Sequence, residues 1–346
     1  MTNVAVVGAA GYAGIEAVRL VLSHERLTLT LATSSADEGR AVSAVYPSLQ
    51  GATDLVFSAP DADAIAHVAD VALLAVPHTA ALDLVPKLLE RGVTVIDLSA
   101  DYRLADPDVY AHWYGTEHTS PELLPEAVFG LPELDRTCLH GARLVACPGC
   151  YPTATTLAAL PALAAGVVTG SRVVVDAKSG VSGAGRSSTP GTHFVTVDEA
   201  VAPYKVAAHR HTPEIEQALS AAAGTPVRAV FAPHLVPMSR GLLSTVYLDV
   251  QEGFTSADAL SLYEAHFAAE PFVFVRPAGL MPSTAEVRGT NRASIGVTVD
   301  EHTSTLVAAC AIDNLVKGAA GQAIQCLNAV LGYPETEGLD RPGPVV

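Results

Sequence analysis

Asn3-Val4-Ala5-Val6-Val7-Gly8-Ala9-Ala10-Gly11-Tyr12-Ala13-Gly14-Ile15 is an apolar run that ends in three glycines at three-residue spacing. A short, nearly continuous apolar run reads as a strand covered on both faces. The pattern at Ile15–Ser23 is helical, so the glycines occupy a strand-to-helix turn. Glycines there let the backbone turn tightly and approach a pyrophosphate, which rests on the first N–H groups of the helix. On this reading Gly8, Gly11, Tyr12, Ala13 and Gly14 meet a dinucleotide. The spacing is Gly-x-x-Gly-x-x-Gly rather than Gly-x-Gly-x-x-Gly, and an ordinary βα turn is the plain alternative.

The same alternation continues outward. Leu27–Thr33, Val71–Val76, Val93–Leu98 and Leu144–Cys147 read as strands and Leu82–Arg91 as a helix. Strands alternating with helices predict an α/β fold with a doubly wound parallel sheet. Thr153–Leu163 reads as a buried helix, and the character then changes. Arg172–Ala177, Ala229–Leu235, Leu242–Val250 and Ser294–Asp300 are strand-like, with one convincing helix among them at Ala257–Ala268. That predicts a second, α+β domain on a mixed or antiparallel sheet. Ile312, Leu315, Val316, Ala319, Ala323, Ile324, Leu327 and Leu331 recur at helical spacing, so Ile312–Leu331 is expected as one helix stopped by Gly332. Gly338–Val346 reads as a frayed tail.

The 346 residues suit two ordinary domains. Apolar residues make up 49% and charged residues 16%, which excludes a disordered chain. Lys plus Arg is 20 and Asp plus Glu is 36, so the net charge is 20 − 36 = −16. Such an acidic chain suits neither nucleic acid nor an anionic membrane surface, while a locally basic pocket for a small anion stays open. The five cysteines are an odd number in a long chain, and Met1–Gly14 lacks a signal-peptide pattern, so a reducing, cytoplasmic setting is expected. Leu144–Ser171 has no charged residue but is broken by Pro148, Gly149, Pro152, Pro161, Gly166 and Gly170. It reads as a buried strand, a turn and a buried helix rather than a membrane span.

Four further features carry chemistry. Where an NAD-binding fold places an acid at the end of the second strand, this chain has Ala32-Thr33-Ser34-Ser35, with Arg40 nearby. Hydroxyls and a cation suit a 2′-phosphate, so NADP(H) is expected over NAD; Asp37 and Glu38 weigh the other way. Cys147-Pro148-Gly149-Cys150-Tyr151-Pro152-Thr153 puts Cys150 near a helix start at about Pro152, because proline is tolerated in a first turn. A thiol of ordinary pKa about 8.5 is lowered at a helix N-terminus, and the thiolate is a strong nucleophile. The same residues spell Cys-x-x-Cys, a redox pattern from another class. Cys138, Cys310 and Cys326 read as small buried apolar residues. Ser179–Ser188, rich in Gly and Ser and containing Arg186, is a candidate phosphate cradle or a plain surface loop. His209-Arg210-His211-Thr212-Pro213-Glu214 offers two histidines on one face if extended, suited to acid–base work, above a capped helix start. It lacks the second close ligand pair of a metal site, and no metal is expected.

These blocks, with Ser99-Ala100-Asp101-Tyr102-Arg103-Leu104 and Asp313-Asn314-Leu315-Val316-Lys317-Gly318-Ala319-Ala320, resemble nearly end to end the N-acetyl-γ-glutamyl-phosphate reductase family of arginine biosynthesis. The resemblance implies a Rossmann-type domain (1–149 plus 313–346) with an inserted α+β dehydrogenase and dimerisation domain (150–312), assembled as a homodimer or homotetramer. It implies NADPH, a thioester on Cys150 and His211 as acid–base partner, with Glu214 to orient His211. Arg103, Arg186 and His209 are expected toward the substrate, and Ser182, Gly183 and Asn314 toward the cofactor. Gly318 and Gly321, costly inside a helix, are expected where the cofactor comes close. A carrier-bound aminoadipyl-phosphate reductase, an aspartate-semialdehyde dehydrogenase and a thiol–disulfide oxidoreductase using Cys147 and Cys150 are the rival readings.

Overall fold

The computed structural model describes Met1–Pro344; Val345 and Val346 of the expected tail lie outside the described residues. The described residues form two compact units, Met1–Pro148 with Ala319–Arg341, and Gly149–Gly318 with 342–344.

The first unit is built on six strands: β1 (Thr2–Val7), β2 (Leu27–Ala32), β3 (Val71–Leu74), β4 (Thr94–Asp97), β5 (Val128–Phe129) and β6 (Leu144–Ala146). Their order is β2-β1-β3-β4-β6-β5 and every pairing is parallel. Connections from β1 run to opposite sides, so the loops beyond β1 and β3 form the switch point where ligands of such sheets bind. Helix α1 (Tyr12–Leu22) follows β1 and buries Ala17, Val18, Leu20 and Val21 at helical spacing. Helix α2 (Ala81–Glu90) joins β3 to β4 and buries Leu82, Val85 and Leu88 in the same core as Leu74, Val95 and Tyr110. Truncating a core side chain such as Leu88 to Ala costs roughly 2–5 kcal/mol.

The second unit holds β7 (Arg172–Gly180), β8 (Ala202–Pro203), β9 (Arg228–Val236), β10 (Leu242–Asp249), β11 (Val273–Val275), β12 (Ala293–Asp300) and β13 (Thr305–Ile312). They form a mixed sheet in the order β11-β12-β13-β10-β7-β9-β8. Helices α3 (Cys150–Ala164), α4 (Thr212–Ala223) and α5 (Ser256–Phe267) pack on it. Leu242, Ser244, Val246 and Leu248 face α3, where Thr155 Oγ1 meets Ser244 Oγ at 2.9 Å. The alternate residues, among them Val230 and Tyr247, stay exposed on the other face. Residues Tyr151–Leu163 of α3 are all buried, as befits a helix apolar on every side.

Two expectations need correction at the C-terminus. Ile312 ends β13 instead of starting a helix, because Thr305–Ile312 pairs along its whole length with β12 and β10. Helix α6 (Gly321–Val330) starts later, after a π-helical turn at Val316–Ala320. The second compact unit runs to Gly318 and the first resumes at Ala319. Nor does the described part of the tail fray. Asn328 Nδ2 donates to the Glu335 and Glu337 carbonyls, Gly338 packs on the His24 ring, and Leu339 is buried.

Candidate active site and cofactor-binding turn

Cys150 is the first residue of α3, two positions earlier than the sequence predicts, with Gly149 as an extended N-cap. Gly149 itself offers no side-chain cap and the first turn of the helix holds no acid, so the positive end of the helix dipole favours an anion at Cys150. Gly149 is needed for closeness. A Cβ there would overlap Nε2 of His211, so the imidazole lies flat against the residue preceding Cys150. The Gly149 N–H donates to Glu214 Oε1 at 2.7 Å, and Glu214 is buried in the first turn of α4. Glu214 therefore ties α4 to the turn that carries Cys150. Gly318 brings a second wall: a Cβ on it would stand 2.6 Å from Cys150 Cβ. The side chain that a Cβ at 318 would meet is thus that of Cys150.

His209 sits differently from His211. Its Nδ1 accepts the His211 backbone N–H at 3.1 Å, and its ring packs among Tyr151, Tyr204 and Phe231. Burial, helped by Lys205 and Arg210, pushes its pKa down to about 4, so it is neutral at pH 7. The Tyr204 hydroxyl donates to that of Tyr151 at 3.2 Å, which in turn donates to the His234 carbonyl. Burial raises Tyr204 to about 12, so neither phenol ionises near neutrality. Sequence reasoning missed this tyrosine pair; the only signal was Tyr151 beside the cysteine.

Elsewhere in the second unit, the Gly180–Ser182 backbone bonds to the Met238–Gly241 turn. Asn314 joins the two, accepting from Gly241 N at 2.8 Å and donating to Ser182 Oγ at 3.0 Å. A Cβ on Gly183 would stand 3.0 Å from Ser179 Oγ. Arg186 is exposed on the loop that follows. Arg240, also missed, lies in the turn with its Nη1 at 3.5 Å from buried Asp313; Met238-Ser239-Arg240-Gly241 after a strand was the available cue.

In the first unit, the glycine turn is a formed cradle. Gly8 has φ +77°, and a Cβ on it would stand 2.5 Å from the Ala75 carbonyl oxygen. A Cβ on Gly14 would overlap the Gly8 carbonyl, while Gly11 has room. Gly11 caps α1 in extended conformation, with no side-chain capping bond and no acid in the first turn. Backbone N–H groups and a steric vacancy for backbone approach fit a pyrophosphate. Tyr12 is partly exposed and Ala13 lies at the same helix start. Beyond β2, Thr33 Oγ1 accepts from Gly8 N at 3.3 Å and Ser34 Oγ from Asp37 N at 3.2 Å, so both hydroxyls serve the turn. Ser35 is exposed, and Arg40 is paired with Asp37 at 2.6 Å.

Arg103 is almost fully buried and donates to the Leu98 carbonyl at 2.7 Å, inside the first unit. Its neighbour Asp101, also buried, accepts from Thr79 N, Ala81 N and the Tyr110 hydroxyl, capping α2 from a distance. Cys147 is buried as well. A hydrogen bond with the Cys326 thiol and burial push it well above its ordinary value, so it supplies no thiolate for a Cys-x-x-Cys exchange. Cys138, by contrast, is exposed, against the expectation of a buried residue. Among the described residues no group of three His, Cys, Asp or Glu could hold a metal ion, and no helix is long and apolar enough to cross a membrane.

Comparison with known proteins separates the readings. Residues 3–142 match the model of the semialdehyde dehydrogenase NAD-binding domain, and 150–314 that of the semialdehyde dehydrogenase dimerisation domain. An N-acetyl-gamma-glutamyl-phosphate reductase of Geobacter sp. (strain M21) is 49% identical over 341 residues, covering 98% of each chain. One from Symbiobacterium thermophilum is 49% identical over 344 residues, covering 99% of each.

This chain belongs to the N-acetyl-gamma-glutamyl-phosphate reductase family.

Solved structures extend the fold beyond the reductases. Aspartate semialdehyde dehydrogenase II of Vibrio cholerae matches with a TM-score of 0.72 at 17% identity, over 96% of this chain and 98% of that one. The Candida albicans enzyme, solved with NADP, matches with a TM-score of 0.72 at 14% identity, over 96% and 99%. At such identities these share the architecture alone, whereas the reductases match at 49% identity over nearly the whole chain.

Proposed function

We propose that this protein reduces N-acetyl-L-glutamyl 5-phosphate to N-acetyl-L-glutamate 5-semialdehyde and phosphate, a step of arginine biosynthesis, through a thioester on Cys150. The observation that carries the mechanism is the His211 imidazole lying against Gly149, beside a cysteine that begins a helix with no side-chain cap.

The Cys150 thiolate, favoured by the N–H groups of α3, attacks the acyl carbon. The carbon–oxygen bond to phosphate breaks and phosphate departs with that electron pair. NADPH, held at the Gly8–Gly14 turn, would supply the hydride that reduces the thioester carbon. His211 donates to the carbonyl oxygen as charge grows on it and takes the proton back as the thiohemiacetal collapses, which expels the thiolate and releases the aldehyde. Glu214 keeps the Cys150 turn and α4 together through Gly149. His209, neutral and packed, holds the His211 backbone. Arg186 and Arg240 are the cations we assign to the substrate's carboxylate and phosphate.

The preference for NADPH over NADH rests on Ser35 and Arg40 at the end of β2, where no carboxylate ends the strand; Thr33 and Ser34 shape that turn. Ser182, Gly183 and Asn314 belong to the cofactor's nicotinamide end. We assign the protein to the cytoplasm, consistent with five cysteines that form no disulfide among the described residues. It works as a homo-oligomer, paired through the sheet face that carries exposed Val230 and Tyr247.

The test is the reverse assay: N-acetyl-glutamate semialdehyde, phosphate and NADP+, followed as NADPH absorbance. Aspartate semialdehyde and a carrier-linked aminoadipate semialdehyde serve as comparators. Faster turnover of either comparator would reassign the substrate.

A further inference from the structure

The turn that brings Gly318 against the nucleophile has no part in the chemistry above. Gly318 N donates to the Asp313 carbonyl at 2.9 Å, a bond that spans five residues, within the π-helical turn Val316–Ala320. Such turns are rare and concentrate at functional sites. This one is anchored on both sides. Asp313 is fully buried; its Oδ1 accepts the Leu315 and Val316 N–H groups and its Oδ2 that of Gly289. Asn314 is fixed to Gly241 and Ser182. Lys317 is fully buried, its ammonium 5.9 Å from the centre of the Phe272 ring.

Against this wall, a Cβ at position 318 would stand 2.6 Å from Cys150 Cβ and 3.2 Å from Cys150 Cα. Rotation about χ1 moves Sγ but leaves Cβ in place, so no rotamer of Cys150 relieves the contact. Relief requires that the start of α3 or the π turn shift.

We propose that Gly318 is a positioning residue: the π turn Val316–Ala320 is the wall that sets the Cys150 side chain, and it can do so only without a side chain at 318. The inference rests on the Cys150 mechanism above. A misplacement of about 1 Å at a reacting atom costs as much as about 10²-fold in rate. Gly318→Ala should therefore lower kcat by about that factor, leave NADPH binding unchanged, and shift the pH profile of Cys150 alkylation by iodoacetamide. A role in general stability would not move that profile.

A double-mutant cycle covers the case in which Gly318→Ala folds poorly. Removing the opposing Cβ with Cys150→Gly should abolish most of the Tm loss that Gly318→Ala causes in the wild-type background. Wild-type kcat and alkylation in Gly318→Ala, or an equal Tm loss in both backgrounds, would overturn the proposal. Cys150→Ser, run in parallel, separates the two claims. If it keeps turnover, the thioester reading fails while the Tm coupling still decides the contact.

Discussion

The two strand-to-helix turns of this protein, at Gly8–Gly14 and at Cys147–Cys150, begin their helices in nearly the same way. Gly11 caps α1 at φ −73°, ψ 164°, and Gly149 caps α3 at φ −67°, ψ 159°. Neither helix has a side-chain cap or an acid in its first turn. What surrounds them differs. Around the first, the glycines are hemmed by backbone only, the carbonyls of Ala75 and Gly8. Around the second, functional side chains close in: His211 on Gly149, Glu214 on its N–H, and Cys150 itself on Gly318. On the function proposed above, the first helix end receives a ligand's phosphate and the second stabilises the Cys150 thiolate.

The sharpest break of that comparison is Cys150→Ser. Turnover should fall by at least about 10³-fold, since the serine alkoxide is far harder to form. NADPH affinity, measured by fluorescence titration, should hold because the first turn is untouched. The next is His211→Asn, expected to lower kcat by about 10²–10⁴-fold, the usual worth of acid–base catalysis. Gly14→Ala should do the opposite of both: NADPH binding weakens sharply while iodoacetamide still alkylates Cys150 at the wild-type rate. Equal damage to both readouts in Gly14→Ala would mean that the two turns are not separable.

His209 sharpens the comparison more gently. Its pKa is lowered to about 4 against an ordinary value of about 6.5, so between those values the unfolded chain holds a proton that the folded chain lacks. Stability then rises with pH through that window and is lost as pH falls through it. His209→Gln should flatten the dependence of Tm on pH between about 4 and 6.5 and cost less in kcat than His211→Asn. An unchanged slope would show that His209 is not held neutral. The smallest effect is expected from Ser35→Asp, which should raise KM for NADPH more than for NADH; equal changes would place the 2′-phosphate elsewhere.

The first unit was legible because its strands are valine-rich and its turns carry glycine, so period and punctuation agree. The turn that places Cys150 at a helix start was legible for the same reason, Pro-Gly before and Pro after. β13 was not. Leu306-Val307-Ala308-Ala309-Cys310-Ala311 has little of the β-branched character that marks a strand, and only pairing on both sides makes it one. The charge of Arg103 pointed toward substrate, yet its hydrogen bond to Leu98 lies inside the first unit. The contact between Gly318 and Cys150 joins residues far apart in the chain, and no local pattern encodes it.

On the proposed mechanism Cys150 carries the acyl group. Incubating the protein with N-acetyl-glutamate semialdehyde and NADP+ without phosphate, quenching in acid and weighing the Cys150 peptide by mass spectrometry reads this directly. The account predicts a stoichiometric N-acetyl-glutamyl adduct on Cys150, formed with a burst of NADPH and discharged when phosphate is added. NADPH formation with the Cys150 peptide unmodified throughout would contradict it.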